Sequence, residues 1–480
     1  MGYPMSGFIA GTCRKQVTLF PDRLDSYIAE ENSIRVIDAF VDSLDLSRLG
    51  FKTVPANTGR PAYHPSTMLK LFVYGYLNRI QSSRRLEREA GRNVELMWLL
   101  ERLAPDFKTI ADFRKDNSKG IKNTCRSFIG LCREMNMFTD VIVAIDGSKF
   151  KAVNSKENNY TPKKLQFHIA RVEKHIDKYL EQLGDSDKED ERDTDESPVK
   201  DKIAWLKKRL VELRALEEEV INHPEKQIST VDPDSRLMKT QGMTRVVCFN
   251  VQNAVDTKHH LIVAHKVTNK QDRGQLCHMA KQVQTALRRK SITIVADKGY
   301  YSGPDIKDTQ DAGMVALVPK GDTSGSEKKG IFNRSLFKYD SSKDVYICPA
   351  NEELKYRYSS VEKGLTIKRY HLDVMTCRAC SMKPQCSKSK TPRRISRWEH
   401  QDEIDPMDDL LTSSPGMMLL RKQTVEHPFG TIKAWMGATH FLTRGLKSVG
   451  TEMNLHVLAY NLKRMISIHG QEKLIAAMAA

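Results

Sequence analysis

The stretch Val141-Ile142-Val143-Ala144-Ile145-Asp146-Gly147-Ser148 decides what fold this chain is expected to adopt. Five apolar residues, most of them β-branched, stop at a carboxylate and a glycine, which is typical of a strand buried on both faces. The stretch Ile292-Thr293-Ile294-Val295-Ala296-Asp297-Lys298-Gly299-Tyr300 repeats this pattern. Open α/β sheets bind their ligands at the carboxyl ends of strands, although an aspartate there often serves only as a turn former or helix cap. The repetition makes Asp146 and Asp297 candidates for one shared site.

A third carboxylate, Glu426, lies in the helix-like stretch Val425-Glu426-His427-Pro428-Phe429-Gly430-Thr431-Ile432-Lys433. Three carboxylates from distant parts of the chain can converge and hold two hard divalent cations. One cation then activates the attacking oxygen, and the other stabilises the leaving oxygen of an in-line phosphoryl displacement. The sequence has no Gly-rich Walker loop, no His-Glu-x-x-His and no Gly-x-Ser-x-Gly motif. Metal-assisted phosphodiester cleavage is therefore the chemistry that these residues favour.

Composition narrows the class of protein. The chain has 480 residues, enough for two or three domains, and a formal net charge of +17. No window approaches the roughly 18 apolar residues of a membrane span, and residues 7–11 are too short for a signal-peptide core. We therefore expect no membrane segment and a cytoplasmic location. The charge favours a polyanionic partner, with a basic protein kept soluble by its charge as the alternative.

Residues 63–138, which follow an N-terminal segment (1–62), are predicted to form an all-helical DNA-binding domain with short connections. Apolar residues recur at helical spacing and predict a helix over 65–80, and further helices follow up to 135. The helix after Ser82-Ser83 has arginines near its start: Arg84, Arg85 and Arg88. These suit phosphate contacts in a reader that resembles a helix-turn-helix. The alternative is a solvated surface with ion pairs to Glu87 and Glu89.

The segments 139–162, 240–318 and 414–468 are predicted to form one α/β domain, a mixed sheet with helices. Two antiparallel strands, over 244–255 and 260–267, follow the first strand in this domain. Two inserts interrupt it. Residues 163–225 carry two helical patterns separated by an acidic run, which predicts a helical hairpin with a solvated tip. Residues 319–413 are poor in long apolar periodicity and rich in cysteine.

The second insert contains four cysteines that could together bind a structural zinc ion. Cys377 and Cys380 form a Cys-x2-Cys pair, and Cys348 and Cys386 add two further thiols. Four sulfur ligands form the usual closed shell of structural zinc, with incidental free thiols as the alternative. The basic flank from Lys388 to Arg397 could lie on a phosphate backbone. The remaining cysteines, Cys13 among them, are expected to be reduced.

With these motifs the chain resembles a known family, the DDE-type bacterial insertion-sequence transposases of the ribonuclease H-like superfamily. Specifically, it is similar to the large group with an N-terminal helical domain. The resemblance rests on the three carboxylate motifs quoted above, and most of all on the stretch from Val425 to Lys433. Residues 439–445 and 456–462 are similar to that group as well.

The resemblance implies that the α/β domain has the ribonuclease H-like fold and that Asp146, Asp297 and Glu426 bind two Mg²⁺ ions. Transposases of this kind cleave at the terminal inverted repeats of the element and join its 3′ hydroxyl to target DNA. Lys433 matches the family's lysine and would contact a DNA phosphate near the scissile bond. The resemblance also implies a homodimer on DNA, because two element ends are cut together, and a nucleoid-associated protein.

The chain departs from related families before the glutamate. Those families have Tyr and Arg seven and four residues earlier, where this chain has Leu419 and Lys422, with Arg421 adjacent. Lys422 is a stand-in that cannot form the bidentate fork of arginine, and both Lys422 and Arg421 are expected to contact DNA. Pro428 is expected to interrupt the helix or to open a new one. Aromatic residues near the site, namely Phe429, Trp435 and Phe441, are expected to lie in the core, with base stacking as the alternative.

Two other functions are compatible with the sequence. One is a non-catalytic, zinc-containing DNA-binding protein with a decayed site. The other is a nuclease of the same fold that does not join strands.

Overall fold

The computed structural model describes residues 23–54, 61–139, 142–186, 197–240, 244–321 and 330–479. The chain divides into two compact units. One comprises Met1–Thr124 together with Leu462–Ala480, and the other comprises Cys125–Asn461. Within the described ranges, no helix is both long and apolar enough to cross a membrane.

Helices dominate the N-terminal region and recur around the sheets. In chain order they are α1 (Ser33–Asp42), α2 (Leu46–Leu49), α3 (Pro65–Leu77), α4 (Ser83–Ala90), α5 (Val94–Leu99), α6 (Phe107–Asp116), α7 (Ser118–Glu134), α8 (Pro162–Ser186), α9 (Ser197–Asn222), α10 (Leu276–Leu287), α11 (Gly303–Asp311), α12 (Val374–Ala379), α13 (Lys383–Cys386), α14 (Gln401–Ser413), α15 (Gly416–Gly430), α16 (Leu446–His469) and α17 (Gln471–Ala479).

The strands begin only after α7. They are β1 (Ile142–Lys151), β2 (Asn159–Tyr160), β3 (Ile228–Ser229), β4 (Arg236–Lys239), β5 (Arg245–Asp256), β6 (Ile262–Thr268), β7 (Thr293–Ala296), β8 (Val315–Leu317), β9 (Lys338–Asp340), β10 (Val345–Ile347), β11 (Glu353–Glu362), β12 (Leu365–His371) and β13 (Arg394–Trp398).

The first unit is helical, as predicted. Polar side chains begin its helices: Asn32 accepts a hydrogen bond from the Ile34 N–H, and Asp106 caps α6. Apolar faces of α1 and α3 are buried, and α17 packs against α1. The helix predicted over 65–80 ends at Leu77, because Arg79 adopts a φ of 63°, which a helix cannot continue.

The second unit is built on a mixed sheet, which confirms the predicted mixed α/β class. Its strand order is β4-β5-β1-β7-β8, and β6 also pairs with β5. β1 is antiparallel to β5 and parallel to β7, and β7 is parallel to β8. α15 packs across β1, β5 and β7, while α10 packs on β5 and β6. This arrangement buries the apolar runs of β1 and β7 between layers.

The helical hairpin follows β2. α8 and α9 pack against each other around Tyr160, Leu165, Leu213 and Val220, all of them buried. The predicted acidic tip lies for the most part outside the described residues. Cys13 and most of the N-terminal segment before Arg23 lie outside them as well.

The cysteine-rich segment forms a second, antiparallel sheet with the order β13-β12-β11-β10-β9, which the sequence analysis did not predict. Its core consists of Phe337, Tyr346, Leu354, Tyr370 and Ile395. These strands carry many Lys, Arg and Tyr residues, so their apolar alternation is weak. The predicted insert also includes α14, which packs on α11 and β8 of the first sheet.

The predicted interruption at Pro428 is wrong. α15 passes through Pro428 and continues as a π-helical turn over Thr431–Trp435. Proline removes only its own N–H donor, and the wider turn restores pairing downstream, where the Met436 N–H donates to the Thr431 carbonyl at 2.9 Å. Glu426 and Lys433 are therefore carried by one uninterrupted helical segment.

Candidate active site

Asp146 and Asp297 lie side by side on neighbouring strands. The strand that carries Asp146 was expected to end there but continues to Lys151, because its polar residues still pair with β5, whereas β7 ends immediately before Asp297. β1 and β7 are parallel, and Ile145 pairs with Ala296, so the two aspartates are the next residues on each strand. Adjacent strands lie about 4.8 Å apart. Asp146 accepts a hydrogen bond from the Gly147 N–H, and Asp297 accepts one from the Gly299 N–H, both at 2.8 Å. These two members of the predicted carboxylate set are held by the backbone itself.

Arg421 forms a salt bridge with Asp146, with Nη2 at 2.9 Å from Oδ2. The side chains are only 15% and 24% exposed, so this pair is largely shielded from water. Burial raises the pKa of Asp146 to about 6, an effect that the Arg421 guanidinium partly offsets and the carboxylates of Asp297 and Asp272 reinforce. Arg421 was predicted to contact DNA, and the structure places it on a candidate metal ligand.

Glu426 is positioned differently from the aspartates. Its side chain is 65% exposed, and its carboxylate lies 3.9 Å from the ammonium group of Lys422, which is 64% exposed. Over the ranges that the structure describes, no group of three His, Cys, Asp or Glu side chains is arranged to hold a metal ion. The structure thus joins Asp146 with Asp297 but does not bring Glu426 into one metal-binding group with them. Leu419, at the position of the family's tyrosine, is 59% exposed.

A fourth carboxylate, Asp272, lies close to Gly147 of β1 and was not predicted from the sequence. It accepts hydrogen bonds from Asn250 and Gln252, both at 2.8 Å, and forms a salt bridge with Lys149 at 3.1 Å. The Tyr300 hydroxyl donates to the Gln252 side chain, and burial raises the pKa of Tyr300 well above its usual value. A signal was present in the sequence, because Asn250 and Gln252 are polar residues within the otherwise apolar strand β5.

Gly147 is required by this network. A Cβ atom at this position would overlap the Asp272 carboxylate and the Gln252 amide. The glycine after Asp146 therefore lets a polar cluster approach the backbone of β1 closely.

Lys433 reaches the same strand. Its Nζ donates to the Ser148 hydroxyl at 2.7 Å and to the Lys149 carbonyl at 3.0 Å, and lies 4.6 Å from the centre of the Phe150 ring. Burial lowers the pKa of Lys433. The lysine predicted to contact phosphate is therefore held two residues beyond Asp146 along β1.

The aromatic residues near the site divide into two groups. Phe429 and Phe441 pack on Phe150, with ring centroids 6.3 and 5.6 Å apart, which agrees with the predicted core role. Trp435 is 66% exposed, so the prediction that it lies in the core is wrong. It falls on the π-helical turn, which rotates it away from the packed face of α15. His427 hydrogen-bonds to the Tyr460 hydroxyl at 2.9 Å.

The arginines of α4 are exposed, as a DNA contact requires. Part of the alternative also holds, because Glu89 pairs with Arg92 and lies 4.0 Å from Arg88. Arg84 stacks over the Phe107 ring at 5.3 Å. No carboxylate forms a salt bridge with Arg84 or Arg85 in the described part of the chain.

The structure gives the zinc prediction no support. Cys348, Cys377, Cys380 and Cys386 line one small cavity, but no three of these described thiols are arranged to hold a metal ion. The cavity also contains the apolar side chains of Phe337 and Leu354 and two cations. One of them, Lys383, places Nζ 3.6 Å from the Cys377 sulfur. Burial raises the pKa of Cys386.

Comparisons with known proteins agree with the resemblance seen in the sequence. Residues 22–116 match the family model of a transposase domain (DUF772), and residues 347–466 match that of a transposase DDE domain. The second match includes Glu426 and Lys433, whereas Asp146 and Asp297 lie outside it. The two matches together support a DDE-type transposase. Transposase domains of this kind act in DNA transposition, and DDE transposases generally use divalent metals.

One solved structure, a cryo-EM structure of the piggyBac transposase synaptic complex with hairpin DNA, is similar over 93% of this chain and 79% of that one. The identity is 8% and the TM-score 0.30, a likeness too distant to carry an argument. None of the curated proteins matches the sequence.

Proposed function

We propose that this transposase cleaves DNA at the ends of its element and joins the 3′ hydroxyls to target DNA by two-metal phosphoryl transfer. The observation that carries the proposal is the pairing of β1 with β7, which sets Asp146 and Asp297 side by side. The order β6-β5-β1-β7-β8, with the first three strands antiparallel, supports a ribonuclease H-like fold for this domain.

Asp146, Asp297 and Glu426 are the proposed ligands of two Mg²⁺ ions. Carboxylate oxygens are the ligands that this ion prefers, and the pairing of Asp146 with Arg421 indicates that the site requires a compensating positive charge. When bound, the two ions would activate the attacking oxygen and stabilise the leaving oxygen. Glu426 would have to turn from solvent toward the aspartates once metal and DNA are present.

The chain's own residues have separate tasks in this proposal. Asp272 accepts a hydrogen bond from Gln252 of β5 and forms a salt bridge with Lys149 of β1, so it ties these two strands together next to Asp146. Lys433, which donates to Ser148, is the residue proposed to orient a DNA phosphate near the scissile bond. Lys422 and the α4 arginines Arg84, Arg85 and Arg88 contribute further phosphate contacts. The proposed partners are the terminal inverted repeats and target DNA, bound by a homodimer.

The test uses the full chain with duplexes that carry the inverted repeats flanking its gene. Asp297→Asn should abolish Mg²⁺-dependent strand cleavage and leave DNA binding largely intact, because the substitution removes a ligand charge and little volume. Asp177→Asn on the exposed face of α8 is the matched control and should cleave like the wild type.

Three outcomes would overturn the proposal. Cleavage that survives Asp297→Asn removes the aspartate from the mechanism. Cleavage without joined products in a plasmid integration assay indicates a nuclease instead, and binding without cleavage by the wild type indicates a DNA-binding protein.

A further inference from the structure

The second sheet carries a concentration of positive charge that the proposed active site does not use. Residues 330–398 contain fifteen Lys and Arg against six Asp and Glu, a net charge of +9. This segment of 69 residues therefore holds more than half of the chain's net charge of +17. A single charged run is usually only a solvated face, so the placement of these side chains matters.

Strand register places three of the basic side chains in one row. Lys355 on β11 pairs with His371 on β12, and His371 pairs with Arg394 on β13. Residues directly opposite one another in a sheet point to the same face. The row crosses three strands and spans about 10 Å at the usual strand spacing.

This face is the open side of the sheet. The neighbouring row, Tyr356, Tyr370 and Ile395, points to the other face, where Tyr370 and Ile395 belong to the core. Lys355 and Arg394 are exposed, and His371 is half-buried between them. Tyr358, 42% exposed, joins the same face, since Arg394 lies within hydrogen-bond distance of its hydroxyl at 3.4 Å.

The charges in this row are available for a partner. In the described part of the chain, neither Lys355 nor Arg394 forms a salt bridge, whereas Arg369 on the same face is paired with Glu362. Arg394 also borders an open groove on the edge of the sheet, which Ser387, Lys388, Thr391 and Arg393 line as well. The row and the exposed Lys388, which lines the same groove as Arg394, are called the basic strip, defined here as Lys355, His371, Arg394 and Lys388.

We propose that the basic strip is a second DNA-binding surface, which lies on the backbone of duplex DNA and contacts its phosphates. This inference rests on the proposed function, since it takes DNA as the polyanion that the transposase handles. Each DNA strand presents one phosphate charge per 3.4 Å, so a row of about 10 Å spans roughly three phosphates. Long, unpaired cationic side chains on a flat face suit sequence-independent phosphate contacts.

The first experiment is a lysine footprint of the wild-type full chain. The protein is acetylated with and without a saturating duplex in metal-free buffer, and each lysine is followed by mass spectrometry. Lys355 and Lys388 should be protected by duplex DNA, whereas Lys207 and Lys208 on α9 should react at an unchanged rate. Equal reactivity of Lys355 and Lys388 with and without duplex would overturn the proposal, as would their protection by an acidic protein but not by DNA.

The second experiment measures affinity for a fluorescent duplex at several salt concentrations, again without metal. The double variant Lys355→Gln/Arg394→Gln should weaken binding on the order of tenfold and lower the slope of log affinity against log salt by about 2. Lys207→Gln/Lys208→Gln loses the same charge and should change neither. A strip variant that matches this control would overturn the inference.

The two proposals fail separately. Because binding is measured without Mg²⁺, loss of DNA affinity in the strip variant says nothing about Asp297, and loss of cleavage in Asp297→Asn says nothing about the strip. A strip variant with wild-type binding, beside an inactive Asp297→Asn protein, would leave the active-site proposal standing alone.

Discussion

Two aspartates and one glutamate make up the proposed catalytic set, and the fold holds them in different ways. Asp146 and Asp297 follow paired residues of parallel strands, so their separation is set by backbone hydrogen bonds. Glu426 is carried by α15 and is mostly exposed, so its direction depends on side-chain rotamers and on what binds there. Strand register therefore fixes Asp146 and Asp297 relative to each other. The direction of Glu426, the proposed third ligand, is not fixed in this way.

The largest expected effect comes from comparing Asp146→Asn with Glu426→Gln in the cleavage assay. Both should lose activity on the order of 10³-fold or more, since each removes one charged ligand from the proposed two-metal site. Single-turnover cleavage of an end-containing duplex measures the loss. If Glu426→Gln cleaves like the wild type, the helical member of the set is wrong, and the aspartates need another partner.

A second prediction concerns how tightly the side chains around Gly147 in β1 are packed. Gly147→Ala should lower the free energy of unfolding by about 1–3 kcal/mol, because the added methyl group overlaps Asp272 and Gln252. Urea denaturation of the full chain measures the change. Gly450→Ala in α16 is the control, since a Cβ there meets nothing within 4 Å, and it should not destabilise. Equal stability of the two variants would show that the cluster around Asp272 is not packed as described.

The third prediction uses the raised pKa of Asp146. Its folded value of about 6 exceeds the usual 3.8, so the folded protein binds the proton more tightly than the unfolded chain does. The stabilising contribution of this group is then fully present below pH 4 and is lost as pH rises through about 6. Asp146→Asn removes this titration.

The difference in unfolding free energy between the wild type and Asp146→Asn should therefore shift against the wild type, on the order of 1 kcal/mol, between pH 4 and 6 in metal-free buffer. Asp177→Asn should show no such shift. A difference that is constant across this window would indicate that Asp146 is as well solvated as a surface carboxylate.

The two strands that carry Asp146 and Asp297 could be predicted from the sequence, because a continuous apolar run indicates a buried strand locally. The runs before Asp146 and Asp297 are continuous apolar segments that end in turn residues, and such segments form buried strands wherever they pair. The helical hairpin was predicted for the same reason, since its apolar periodicity is long and regular.

Other parts depend on contacts that no local pattern encodes. The salt bridge of Arg421 with Asp146 joins residues 275 positions apart, and nothing near Arg421 in the sequence specifies that partner. The second sheet was missed because its open face is basic and its strands contain many Lys, Arg and Tyr residues, so the alternation of apolar residues is weak. Pro428 was expected to interrupt the helix, but α15 continues through it and then widens into a π-helical turn.

The smallest expected effect concerns Lys422, beside Glu426 on α15. Their charged groups are 3.9 Å apart and both side chains are about two-thirds exposed, so water screens the attraction. Lys422→Gln should leave the melting temperature unchanged. If Lys422 contacts phosphate as proposed, the same variant should lower the salt slope of DNA binding by about 1. A clear drop in melting temperature would mean that Lys422 already fixes Glu426 in the free protein, and the contrast between strand-held and helix-held carboxylates would then disappear.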